Sequence, residues 1–202
     1  MAYTDFTAND LIRRFGLQFA SADLFGQSAP VAPSSWLTDT LRKGHLMGFG
    51  SEKSRSERLV SPVLTELCER NDFAFAVVSG ANLDADELRG LRGECDFVLT
   101  STRIQEFITT PIFCITEAKR QDVEQGTIQC AAQLLGARQL NELENNKLPV
   151  LYGCSTTGTE WRFLKLEGNT ITLDLPRYYL THLAQLLGVL QGIVSAALPK
   201  RG

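Results

Sequence analysis

Residues 111–121 read Pro-Ile-Phe-Cys-Ile-Thr-Glu-Ala-Lys-Arg-Gln, and they limit most what this chain can fold into. The lead-in Pro111, Ile112, Phe113, Cys114 and Ile115 suits a buried β-strand. A helical pattern follows from Glu124 to Leu143, with Ala131, Leu134, Leu135 and Leu140 on its apolar face. Pro149–Ser155, PVLYGCS, is apolar again. A long helix between two strands suggests a crossover and a mixed sheet with helices on its faces. Two earlier runs, Phe73–Ser79 and Glu94–Thr100, have no helix between them and predict an antiparallel meander with the first strand. The turn TTGTEW leads into a hairpin over Trp161–Leu175, and Pro176–Leu198 reads as a final helix. The fold class expected is α/β, a central mixed β-sheet flanked by helices.

The N-terminal part reads differently. Thr7–Phe15 and Ser35–Lys43 read as short helices, the second ended by Gly44. The loop GQSAPVAPSS, Gly26–Ser35, lies between them. This predicts a helical appendage over 1–50 and a main domain over 51–202. That domain opens with an amphipathic helix, Ser54–Asn71, in which Ser54 and Glu57 have capping-box spacing. Pro62 either kinks it or marks its true start.

A net charge of −3 over 202 residues excludes a protein that coats nucleic acid with its whole surface. Contact with DNA would use local basic groups such as Lys53, Arg55, Arg58, Lys119 and Arg120. Cys68, Cys95, Cys114, Cys130 and Cys154 are scattered singly, which argues for reduced thiols in the cytoplasm. His45 and His182 are lone histidines and make a zinc site improbable. The N-terminus has no signal-peptide pattern. Leu183–Leu198 is apolar but interrupted by Gln185 and Gln191. The expectation is no membrane span, and a helix packed in the core or forming a homodimer interface.

The chemistry lies at the end of the opening strand. Alternation puts Phe113, Ile115, Glu117 and Lys119 on one face, with Glu117 and Lys119 about 7 Å apart along the strand. That spacing is expected to hold the two apart, around a shared ligand. Asp96 sits in the apolar run ECDFVLT and needs a partner. Two carboxylates brought together repel unless a cation lies between them, and a hard divalent ion satisfies both.

Asp96, then twenty intervening residues, then Glu117-Ala118-Lys119 resembles the D…(D/E)-x-K core of the PD-(D/E)XK nuclease superfamily. Val150–Gly168, VLYGCSTTGTEWRFLKLEG, is similar to the later strands of the type I restriction R-subunit N-terminal nuclease group. The resemblance covers 51–168. It implies a restriction-endonuclease-like three-layer fold and a Mg²⁺- (or Mn²⁺-) dependent nuclease that hydrolyses DNA phosphodiesters, in restriction or repair. It further implies that Asp96, Glu117 and the Ala118 carbonyl hold the metal, and that Lys119 orients water or steadies phosphate charge. Glu57 matches the acidic residue on the preceding helix. Gln129 and Gln133, one helical turn apart, match the glutamines of several lineages and would orient Lys119 or touch the phosphate backbone. Gln133 stands where a tyrosine completes the RecB-like pattern. The alternative is a non-catalytic domain of the same fold that binds a protein or nucleic-acid partner.

Overall fold

The structure is a computed structural model that describes residues 1–104 and 106–198. Among the described residues the strands are β1 (Gln18–Ala22), β2 (Ala76–Asn82), β3 (Glu94–Thr100), β4 (Ile112–Ala118), β5 (Val150–Thr156), β6 (Glu160–Glu167), β7 (Thr170–Asp174) and β8 (Tyr178–Tyr179). The main helices are α1 (Ala8–Phe15), α2 (Ser35–Met47), α3 (Glu52–Arg55), α4 (Ser61–Arg70), α5 (Val123–Leu143) and α6 (Leu183–Ala197). The strands form one sheet in the order β1-β7-β6-β5-β4-β3-β2, with β8 added to β6. β2, β3 and β4 are the expected antiparallel meander. β5 returns parallel to β4 after the α5 crossover, so the sheet is mixed.

Apolar side chains cover both faces. On one, Leu37 and Leu41 of α2, Leu64 and Leu67 of α4, and Leu186, Leu187, Ile193 and Val194 of α6 pack with Phe75, Phe113, Trp161 and Phe163. On the other, Leu134 and Leu135 of α5 pack with Val98, Ile115 and Leu164, joined by Tyr3, Leu11 and Leu17 from the N-terminal region. Each fully buried large apolar side chain contributes roughly 1.5–3 kcal/mol. This two-sided burial encloses β4 along its whole length, Thr116 and Glu117 included, and isolates the charges at its end.

The segment 1–50, expected as an appendage, contributes β1 to the sheet, parallel to β7, and Leu11, Leu17, Leu37 and Leu41 to the two cores. α2 does not stop at Gly44. It runs on to Met47, and Gly44 lies where a β-carbon would come 2.8 Å from the Arg58 carbonyl oxygen. The glycine permits a close helix approach rather than a helix end.

The segment 54–71 also departs from expectation. Ser51 caps α3, its hydroxyl accepting from Ser54 N–H, so the Ser54/Glu57 capping box does not form. The chain then passes through a π-helical turn, Ser56–Val60, before α4. Pro62 has no N–H to give the Arg58 carbonyl, and its ring crowds that position. The Ser61 N–H reaches back to Ser56 O instead, the wide turn that defines a π-bulge.

The C-terminal region is not one helix from Pro176. Tyr178 and Tyr179 first pair with β6 and a single 3₁₀ turn follows, Leu180–His182. The helical stretch Leu180–Ala197 is long and apolar enough to cross a membrane by length and composition, more so than its glutamines suggested. In the fold, Leu186, Leu187, Leu190 and Ile193 are buried in the core, and Gln191 exchanges hydrogen bonds with Asn71, the residue that caps the end of α4.

Candidate functional site

β3 and β4 pair from Thr100↔Ile112 to Phe97↔Thr116, with a bulge between Leu99 and Thr100. The bulge leaves Phe113 as the extra residue, so Phe113 packs against Phe75 on the face opposite Ile115. The expected shared face therefore holds for Ile115 and Glu117 but not for Phe113. Beyond Phe97 and Thr116 the ladder stops. The Ala118 N–H, which a continuing ladder would use, donates instead to Oδ2 of Asp96 at 2.7 Å. β4 stays bound on its other side, where Ala118 pairs with Thr156 and the Lys119 N–H reaches Thr156 O at 2.7 Å. Asp96, Glu117 and Lys119 thus meet where the sheet opens.

Glu117 is buried and its carboxylate is held on three sides. Gln133 Nε2 donates to Oε2 at 2.8 Å, and Gln129 Nε2 and Lys119 Nζ both donate to Oε1, the latter at 2.8 Å. The Glu117–Lys119 contact is a direct ion pair, contrary to the separation expected from strand spacing. The lysine stem is long enough to fold back over two residues, and the pair is shielded from solvent, with Lys119 15% and Glu117 4% exposed. Gln129 and Gln133 engage Glu117, not Lys119. They project from α5, four residues apart and one above the other. The buried Gln133 Oε1 has no hydrogen-bond partner among the described residues. Turning the amide over would set that oxygen against a carboxylate, so the observed orientation is the favourable one.

Burial is the largest influence on Glu117 and the Asp96 charge adds to it. Together they push its pKa up to about 7, against the pull of Lys119 and Gln133. Burial likewise raises Asp96, opposed by the Ala118 N–H and Lys119 and reinforced by Glu52 and Glu94. Burial depresses Lys119, but the Glu117 charge and hydrogen bond outweigh it and the net shift is upward. Two carboxylates that resist joint ionisation mark a place that one more positive charge would stabilise.

A cleft of about 680 Å³ opens beside Asp96, lined by Glu52, Lys53, Ser56, Glu57, Ser61, Ser79, Gly80, Glu94 and Phe97 as well. Glu57 lies on its wall but is 59% exposed and 4.0 Å from Lys53. The acid that reaches the site is Glu52, at the start of α3. Its Oε2 accepts from the Arg120 N–H at 3.2 Å, and its Oε1 is 4.0 Å from Lys119 Nζ. Sequence spacing carried no signal for Glu52, whose neighbourhood looks like an ordinary solvated helix start. Arg55 holds α3 in place. It donates to Thr157 O in the β5–β6 turn at 2.9 Å and stacks on Phe49 at 4.9 Å. Arg58 donates to the Met47 and Gly48 carbonyls. Both arginines therefore tie backbone together.

Among the described residues, no three His, Cys, Asp or Glu side chains form a ready metal cage. A donor set of two carboxylates and a backbone carbonyl suits Mg²⁺ nonetheless, because that ion keeps several waters and takes few protein ligands. The residues present fit the group. Comparison with protein-family models, curated proteins and solved structures returns no match to this chain.

Proposed function

We infer that this chain is a Mg²⁺-dependent nuclease of restriction-endonuclease-like fold that hydrolyses DNA phosphodiesters. The observation that carries this reading is the meeting of Asp96, Glu117 and Lys119 at the point where β3 and β4 part. An apolar sheet has no structural need for this arrangement, since each buried charge costs free energy unless it is compensated. The upward shift of Glu117, caused first by burial and then by the Asp96 charge, supports this reading, because a cation between the two carboxylates would relieve it.

Asp96, Glu117 and the Ala118 carbonyl would hold the ion. When bound, it would neutralise phosphate charge and make water a better nucleophile. The protein's own groups do the rest. The Ala118 N–H and Asp96 Oδ2 fix each other across the gap between strands. Gln129 and Gln133 aim the Glu117 oxygens and hold them against rotation. The Lys119 ammonium, held against Glu117 Oε1 at the mouth of the gap, is the group that would meet charge developing on the phosphate. Glu52 stands where it can orient Lys119 from the α3 side.

Incubation of supercoiled plasmid and of single-stranded DNA with the full chain and Mg²⁺ or Mn²⁺ tests the reading. Cleavage that EDTA abolishes is expected, and undamaged DNA under every divalent condition would contradict it.

A further inference from the structure

Gly126 lies in the first turns of α5, inside a regular helix. It is absent from the glycines of positive φ, so its backbone conformation is open to any residue. Its surroundings are not. A β-carbon there would overlap the Ser155 hydroxyl and come within 2.8 Å of Cγ of Lys119. Both neighbours are pinned. The Ser155 hydroxyl donates to Val123 O at 3.0 Å, and the Lys119 backbone N–H is bonded to Thr156 O. Cγ lies near the root of the lysine chain, so moving it carries the ammonium with it.

We propose that Gly126 is a positioning residue: the notch it leaves in α5 seats the lower stem of Lys119 and thereby sets its ammonium against Glu117. Three elements converge on that seat. β4 delivers the lysine, β5 delivers Ser155 as the opposite wall, and α5 supplies the gap. The same helix carries Gln129 and Gln133, so α5 places both members of the Glu117–Lys119 pair. This rests on the nuclease reading for its consequence in catalysis, but the placement of the lysine can be read without any activity.

The test uses the full chain and its Gly126→Ala, Gly126→Ala/Ser155→Ala and Glu117→Gln variants. Acylation of Lys119 by an amine-reactive reagent is followed by mass spectrometry, beside kcat and KM for plasmid cleavage with Mg²⁺. Alanine is the better helix former, so helix propensity does not oppose the first substitution. Gly126→Ala is expected to label Lys119 several-fold faster than the parent, approaching Glu117→Gln, in which the ion pair is lost. It is also expected to lower kcat about tenfold or more with KM little changed. Adding Ser155→Ala gives the new methyl room on the far side and should return both values toward the parent. Parental labelling and kcat in folded Gly126→Ala would overturn the proposal. If the parent cuts no DNA, faster labelling of Gly126→Ala still supports the notch, and only the nuclease reading fails. If Gly126→Ala alone does not fold, the double variant decides: labelling like the parent supports the notch, and labelling like Glu117→Gln overturns it.

Discussion

Oδ2 of Asp96 accepts the Ala118 N–H at 2.7 Å, a side chain on one strand standing in for the backbone partner its neighbour has lost. That bond closes the end of the β3–β4 ladder and brings Asp96 beside Glu117. Asp96→Ala removes the acceptor and leaves a donor unsatisfied, at a cost of about 1–3 kcal/mol. Chemical denaturation should show this loss, and Asp96→Asn, which keeps a carbonyl oxygen for the bond, should lose less.

The pH dependence of the metal-free protein follows from Glu117. Its pKa rises from 4.5 to about 7 on folding, so the folded chain holds a proton that the unfolded chain has released over that interval. Its contribution to stability is fully present below about 4.5 and is lost as pH climbs through about 7; Asp96, also raised, acts in the same direction. Thermal unfolding without divalent ions should weaken between pH 5 and 8, by on the order of 1–3 kcal/mol, and Glu117→Gln should flatten the curve. Mg²⁺ should restore stability chiefly at the alkaline end, by about 2.7 kcal/mol at a hundredfold excess over Kd.

Gln133 is a separable part of that behaviour. The hydrogen bond its Nε2 donates to Glu117 Oε2 favours the charged form, so Gln133→Met should move the pH midpoint of the same curve upward. A midpoint that stays in place would show that the bond does not act on the carboxylate charge.

Strand and helix positions around the site were legible because their signals are local. β3 begins and ends where its apolar run does, and α5 starts within a residue of the expected helix, capped by Asp122. What escaped depended on distant contacts. β1, Gln-Phe-Ala-Ser-Ala, has one large apolar residue and is a strand only because β7 pairs with it. Gly44 looked like a helix end because the backbone it approaches belongs to another segment. Phe113 changed faces through a bulge that alternation does not reveal. Asp96, Glu117 and Lys119 could be picked out by residue type and spacing, but Glu52 could not: its link to Lys119 depends on how Arg55 fastens α3 to the β5–β6 turn.

Glu52 and Glu57 give opposite expectations despite lying five residues apart. Glu52 touches the Lys119–Arg120 segment, whereas Glu57 points to exposed Lys53. Glu52→Gln should lower cleavage about tenfold or more, and Glu57→Gln should stay within about twofold of the parent. Steady-state rates on one plasmid substrate compare them, and the reverse order would return the helix acid to Glu57.

The most direct measurement is single-turnover cleavage of plasmid DNA in Mg²⁺ by the parent chain, Asp96→Asn and Lys119→Ala, with folding of each checked by circular dichroism. The parent should cut, and each substitution should slow the cut by about 10²-fold or more. Equal rates in all three folded proteins, or no cleavage by the parent, would contradict the account.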